Sequence, residues 1–209
     1  MDPLRHALLS SQRRGGEPED YLPLHSFFDT TKELCSDNRH RLLHNAWGIR
    51  RVVLPIFGTE LSVRGSGQLT VMTKEVCEFD HVLADFSGRY IPTLRDFARA
   101  IENEPGEEVR LEEVRAPYIG NDEVIRLLLS PYAVTGLVSA LLVTHNTWFL
   151  SEVLPRIFGR CGPALVKGVA PGELFDRMRF ELWMDNGAVA PPSAPKRITH
   201  TPAKGRLCT

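Results

Sequence analysis

The apolar positions in the first half of the chain fall into short helical periods punctuated by glycine and proline. Leu4 to Arg14 reads as a helix, ended by Gly15 and Gly16 because glycine takes left-handed backbone angles cheaply. The acidic stretch from Glu17 to Asp20 leads into a helix around His25, with Asp20 as its expected N-cap. On that helix Leu24, Phe27, Phe28 and Leu34 share one face, and His25, Asp29 and Lys32 fall roughly opposite at about 100° per residue. Ser36, Asp37 and Asn38 break the pattern and cap a second helix, expected to run to about Phe57 with Gly58 as its stop. Its apolar stripe is Leu42, Ala46, Ile49, Val53 and Ile56. His40 and His44 lie on the far side with Arg51 beside them, and Pro55 sits in the last turn. Both polar faces are therefore expected outside the core.

Beyond Gly58, alternating segments at Glu60 to Val63 and Gln68 to Met72 flank a Gly-Ser-Gly turn and predict a small hairpin. A short helix carrying His81 and Asp85 ends at Gly88. Pro92-Thr93 then opens another, with Thr93 as cap and Asp96 three residues on, and it should end near Glu102. The second half predicts a strand at Val109 to Val114 and a short helix at Glu123 to Leu129. A long apolar helix from Tyr132 to Phe158, broken near Pro155, and an amphipathic one from Gly172 to Met184 follow. The remainder is rich in proline and small residues with no apolar period, which predicts a mobile tail. The expected class is mainly α with a small β-hairpin (α+β). Its domains are a helical one at 1–105, a smaller, mostly helical one at 106–185, and a basic tail at 186–209 carrying Lys196, Arg197, Lys204 and Arg206.

One self-similarity bears on that division. HNAWGIRRVVLPIFG at His44 to Gly58 aligns without gaps on HNTWFLSEVLPRIFG at His145 to Gly159. Either a unit was duplicated and its second copy decayed, or two core helices converged on similar endings. The positions matching His25, Asp29 and His40 are Arg126, Ser130 and Leu141, so only His145 keeps a ligand-type side chain.

With 209 residues, 43% hydrophobic and 24% charged, the composition is that of an ordinary globular protein long enough to bury a core. A net charge of -1 gives no reason to expect nucleic-acid or membrane binding through bulk electrostatics. Cys35, Cys77, Cys161 and Cys208 are scattered without a C-x-x-C, which argues against a zinc knuckle or a redox pair and fits a reducing cytoplasm. The N-terminus lacks the apolar run of a secretion signal, and polar residues interrupt the most apolar segment, Ala133 to Leu154, so no membrane span is expected.

The chemistry lies in pairs of ligand-type residues four apart: His25 with Asp29, His40 with His44, and His81 with Asp85. Side chains at that spacing on a helix point the same way and can offer two donors to one metal ion. Three such pairs stand in the first half of a chain with only seven histidines. With His6 they make a candidate divalent-metal set of His6, His25, Asp29, His40, His44, His81 and Asp85. Imidazole with carboxylate suits zinc, manganese, iron or nickel. Lys32, Arg39, Arg41 and Arg51 are the candidates for holding an anionic, phosphate-containing substrate. Ser10 and Ser11 stand near a histidine but lack a Gly-x-Ser-x-Gly elbow, so a helix-surface role is expected of them. Trp47 and Trp148 are expected in the core.

The segment from His6 to Thr93 resembles an uncharacterised domain family of bacterial and phage proteins. The resemblance rests on a histidine before paired serines, the Gly15-Gly16 pair, YLPLHSFFDTTK, RHRLLH, a closing Phe57-Gly58, HVLAD and Ile91-Pro92-Thr93. It covers about the first half, and Asn45 stands where a second histidine is common. The family carries no assigned activity, so the resemblance implies a bacterial or phage-encoded protein and no reaction. Two readings follow from the residues. In one the chain is a metal-dependent hydrolase acting on a nucleotide, nucleic acid or other phosphate substrate. In the other it is a non-enzymatic interaction or virion-associated protein, using 133–158 for self-association or a protein partner.

Overall fold

The computed structural model describes residues 1–64, 69–102, 122–159 and 169–179. The expected strand at Val109 to Val114, the Gly-Ser-Gly turn and the basic tail lie outside the described residues. Within them the protein is mainly α with one two-stranded antiparallel hairpin, as the sequence pattern predicts. No helix among the described residues is long and apolar enough to cross a membrane.

Helix α1 (Pro3–Arg14) begins at Asp2, whose side chain accepts from the Arg5 N–H, and ends at Gly15 with φ +81°. Helix α2 (Pro18–Phe28) packs along it. Its N-cap is Glu17, not Asp20. Asp20 instead closes a capping box by accepting from the Glu17 N–H at 2.9 Å. Beyond α2 come 3₁₀ turns at Thr30–Glu33 and Asn38–His40. The continuous helix expected from Asn38 to Phe57 therefore does not form. Helix begins only at α3, which joins Ala46–Gly48, a π-wound Ile49–Val53 and Leu54–Phe57.

Asn45 is the reason for that late start. Its amide oxygen accepts from the Gly48 N–H and its amide nitrogen donates to the Leu42 carbonyl, both at 2.9 Å, so one buried side chain caps α3 and closes the turn before it. Gly48 completes the turn, because a Cβ there would lie 2.3 Å from the Leu43 carbonyl oxygen.

Strands β1 (Glu60–Val63) and β2 (Leu69–Met72) pair in register from Glu60 opposite Met72 to Val63 opposite Leu69. Helix α4 follows as Thr73–Glu75, a π-wound Val76–Val82 and Leu83–Asp85, and α5 (Leu94–Ala100) opens on the expected Thr93–Asp96 capping box. In the second half α6 spans Asp122–Thr135, longer than the expected Glu123–Leu129. The long helix expected over Tyr132 to Phe158 is broken: Gly136 at φ +67° ends α6 and a 3₁₀ turn covers Val138–Val143. Helix α7 then joins a π-wound Phe149–Val153 to Leu154–Phe158. Helix α8 (Pro171–Asp176) starts near the expected Gly172 but stops well short of Met184, because Arg177 caps it and Met178 turns off to bridge Ile101.

The two similar segments repeat each other in structure as well as in sequence. Asn146 accepts from the Phe149 N–H and donates to the Val143 carbonyl, each at 3.0 Å, as Asn45 does three residues either side of itself. Each segment then runs through a π-wound turn to a glycine with positive φ, Gly58 or Gly159. Trp47 and Trp148 are both core, as expected. One apolar cluster runs through both halves, from Ala7 to Met178. Trp47 Nε1 donates to Ser130 Oγ at 2.9 Å and Ser139 Oγ to the Ala98 carbonyl at 2.9 Å, tying α6 and the following turn to the N-terminal helices.

Gly48→Ala must push the Leu43 carbonyl aside and should cost about 3 kcal/mol. Gly136→Ala meets open space at a left-handed φ and should cost only about 1 kcal/mol. Urea midpoints of the two variants, compared with the parent, check that order.

Candidate metal centre

Four separate stretches converge in the interior. His6 comes from α1, His25 and Asp29 from the last turn of α2 and its cap, His40 and His44 from the turns before α3, and His81 and Asp85 from α4. The polar faces expected outside the core are inside it. His6, His25, His44 and His81 are all at 0% exposure, with Asp85 at 5%, His40 at 6% and Asp29 at 7%. His40 and His44 stand on a 3₁₀ turn and the loop after it, so their spacing of four is not a helical pair.

The contacts form one connected cluster. His81 Nδ1 lies 2.9 Å from His25 Nδ1, and His81 Nε2 lies 3.0 Å from His44 Nε2. His44 Nε2 is also 3.2 Å from Asp85 Oδ2 and 3.8 Å from Asp29 Oδ1. His40 Nε2 is 3.3 Å from Asp29 Oδ1, and His6 Nε2 is 3.2 Å from Asp85 Oδ1. The first amino group of the chain also lies against Asp85 Oδ1. The His81 ring is clamped between His6, with centroids 4.0 Å apart, and Phe28 at 4.4 Å. Two triads emerge, His6–His25–His81 and Asp29–His44–His81, each with its ligand atoms within 4.8 Å of one another. Separations near 3 Å are what bonds of about 2 Å to a shared ion produce.

The outer hydrogen bonds decide which ring nitrogens carry lone pairs. His6 Nδ1 lies 2.7 Å from the Asp80 carbonyl and His40 Nδ1 2.5 Å from the Asp37 carbonyl. A carbonyl only accepts, so both rings donate from Nδ1, and a neutral ring then has a bare Nε2. Each Nε2 faces a carboxylate oxygen, His6 toward Asp85 and His40 toward Asp29. Each of these contacts is joined either by a proton on Nε2 or by a bound cation. Imidazoles oriented by a backbone carbonyl on one nitrogen and open on the other are the usual arrangement around a bound metal. Further, both oxygens of Asp29 and Nδ1 of His44 have no hydrogen-bond partner among the described residues.

Burial disfavours the charged form of three of the imidazoles. It pushes His25 down to about 3, with the nearby His6 adding to the effect. It also lowers His44 and, well below the usual range, His81. Burial works to raise the carboxyls of Asp29 and Asp85, but their histidine neighbours outweigh it and hold both below the ordinary value. Neutral imidazole at His25, His44 and His81 beside ionised carboxylate at Asp29 and Asp85 is the combination that metal ligands require.

Of the four basic candidates, Arg41 is beside the cluster, with Nε 3.8 Å from Asp85 Oδ2 and its guanidinium over the Phe86 ring. Arg39 grips Asp37 and donates to the Phe175 carbonyl at 2.7 Å. Lys32 and Arg51 are exposed. Sequence reasoning missed the supports. Ser10, expected on the helix surface, is buried with Oγ 2.9 Å from His25 Nε2 and 3.3 Å from Asp80 Oδ2. Asp80 is itself fully buried and paired with Arg13 and Arg14, pinning the end of α1 to α4. No spacing marked Asp80; only the doubled arginine at the helix end hinted at a buried acid. His145 lies in the second half, with Nδ1 2.8 Å from the Leu141 carbonyl.

Fold and site together define a mainly helical protein with a buried His/Asp cluster that could hold a metal ion. The chain belongs to the family of the domain of unknown function DUF6915, whose family model matches residues 1–106. All seven candidate ligands fall inside that span. Neither a comparison with curated proteins nor one with solved structures finds a match.

The depressed values set a pH dependence for the metal-free protein. Unfolded His25 regains its ordinary value of 6.5 and binds a proton that the native state refuses down to about 3. Its contribution is therefore complete above the unfolded value and is lost as pH falls through this window. Asp29 and Asp85 act in the same direction below their ordinary value of 3.8. In chelator, unfolding free energy should fall by about 2 kcal/mol from His25 alone between about pH 6.5 and pH 5. Urea titrations across that range check it, and a flat or rising profile contradicts it.

Proposed function

We propose that this protein is a metal-dependent hydrolase of a phosphate-bearing substrate, with the His/Asp cluster as its resident metal centre. The observation that carries the metal reading is the convergence of His6, His25 and His81, and of Asp29, His44 and His81, with each triad's ligand atoms within 4.8 Å of one another. The donor set fits zinc, manganese, iron or nickel. Such an ion supplies Lewis-acid chemistry, polarising a phosphoryl oxygen and making water nucleophilic near neutral pH.

The chain's own residues would provide orientation and charge. Phe28 and His6 fix the His81 ring, the Asp37 and Asp80 carbonyls fix His40 and His6, and Arg41 brings a cation to the same place. The edge formed by Asp29, His40 and Asp85 is the least covered part of the cluster, against full burial of the other four ligands. A phosphate would reach the centre from that edge, next to Arg41.

One observation favours a second reading, in which the ion is structural: the deep burial of the cluster leaves a substrate little room. The apolar side chains between Val138 and Leu154 are largely spent inside the chain's own core, which weighs against using 133–158 as an assembly surface.

Purified protein should carry transition metal in whole-number ratio, and chelator should lower its melting midpoint by about 5 °C or more. The loaded protein should also hydrolyse a simple phosphodiester or phosphomonoester, losing this with His40→Ala. Bound metal without turnover on either ester leaves the structural reading. No bound metal and unchanged melting in chelator remove the metal centre.

A further inference from the structure

We infer that this centre takes two metal ions, one on each side of the His81 ring. The inference rests on the metal reading above and extends it from a site to a stoichiometry. His81 turns Nδ1 toward His25 Nδ1 at 2.9 Å and Nε2 toward His44 Nε2 at 3.0 Å. The two nitrogens of an imidazole point apart across the ring, so one ion cannot bind both. The His81 contacts on its two sides therefore belong to two ions.

Asp85 divides in the same way. Its Oδ1 faces His6 Nε2 at 3.2 Å and its Oδ2 faces His44 Nε2 at 3.2 Å. A carboxylate that turns one oxygen toward a histidine of each triad has the form of a bridging ligand. Seven side chains also exceed the four donors that one tetrahedral ion takes, and they divide between two positions with His81 and Asp85 shared. The inner set is His6, His25 and His81 with one Asp85 oxygen. The outer set is Asp29, His40, His44 and His81 with the other.

The sets differ in chemistry. Imidazole dominates the inner one and suits zinc, nickel or copper; the outer carries more carboxylate and also accepts manganese or iron. Ser10 supports the assignment, since Oγ at 2.9 Å from His25 Nε2 satisfies that nitrogen and leaves His25 Nδ1 to face the inner position. When both ions are bound, His81 ligates through both nitrogens and its ring proton passes to solvent.

The test is the zinc content of the full chain, loaded with excess zinc, desalted and measured by elemental mass spectrometry. Two ions per chain are expected. One ion overturns the two-ion inference and leaves the metal centre standing; none overturns both. His6→Gln, checked for folding by circular dichroism, should carry one ion, and two ions in that variant would place the second outside the inner set and overturn the assignment. A cobalt titration of the unmodified protein reads the same quantity without a variant. Its visible absorbance should rise until about two equivalents, and a break at one equivalent contradicts the inference.

Discussion

The gathering of two carboxylates and five imidazoles into one buried cluster is the constraint on which the rest of this structure depends. Burying a polar group without a partner costs roughly 1–3 kcal/mol, and burying an unpaired charge costs more. Here Asp29 and Asp85 stay ionised beside nitrogens that burial keeps neutral. Positive charge beside the carboxylates offsets that cost; Arg41 and the chain's first amino group supply part of it at Asp85, and the grouped side chains could hold a metal ion that supplies more.

The fold is built to hold that geometry. Asp80 joins α1 to α4 through Arg13, Arg14 and Ser10, so its carboxylate and its carbonyl both fix groups at the edge of the cluster. The π-wound turn of α4 keeps Asp80, His81 and Asp85 all buried along one short helix. Asn45 and Gly48 make the tight turn that delivers His44. The second half contributes no candidate ligand among the described residues. It covers α3 and α5 instead, through Trp47, Ser130 and Ser139.

Much of this was legible in the sequence, but not where the polar faces would go. The hairpin, the Thr93–Asp96 box, α1 with its glycine stop and the identity of the clustered side chains all follow from local pattern. Reading polar positions as solvent positions placed His25, Asp29, His40 and His44 outside. The rule fails because these residues satisfy one another, so the polar face of α2 has a polar interior to meet. The expected helix through His40 and His44 failed for another reason. Periodicity from Leu42 to Ile56 continues through a turn that Asn45 and Gly48 impose locally, and a side chain that caps a helix from within an apolar run leaves no periodic mark. The break in the long apolar helix has the same character, since Gly136 interrupts a segment whose hydrophobicity is continuous.

The most direct measurement is an anomalous difference map from a crystal of the loaded protein, recorded on either side of the metal's absorption edge. The account predicts density bounded by His81, His44 and Asp85, within bonding distance of their ring nitrogens and carboxylate oxygens. A map empty at that place, or one with density only on the protein surface, would contradict it.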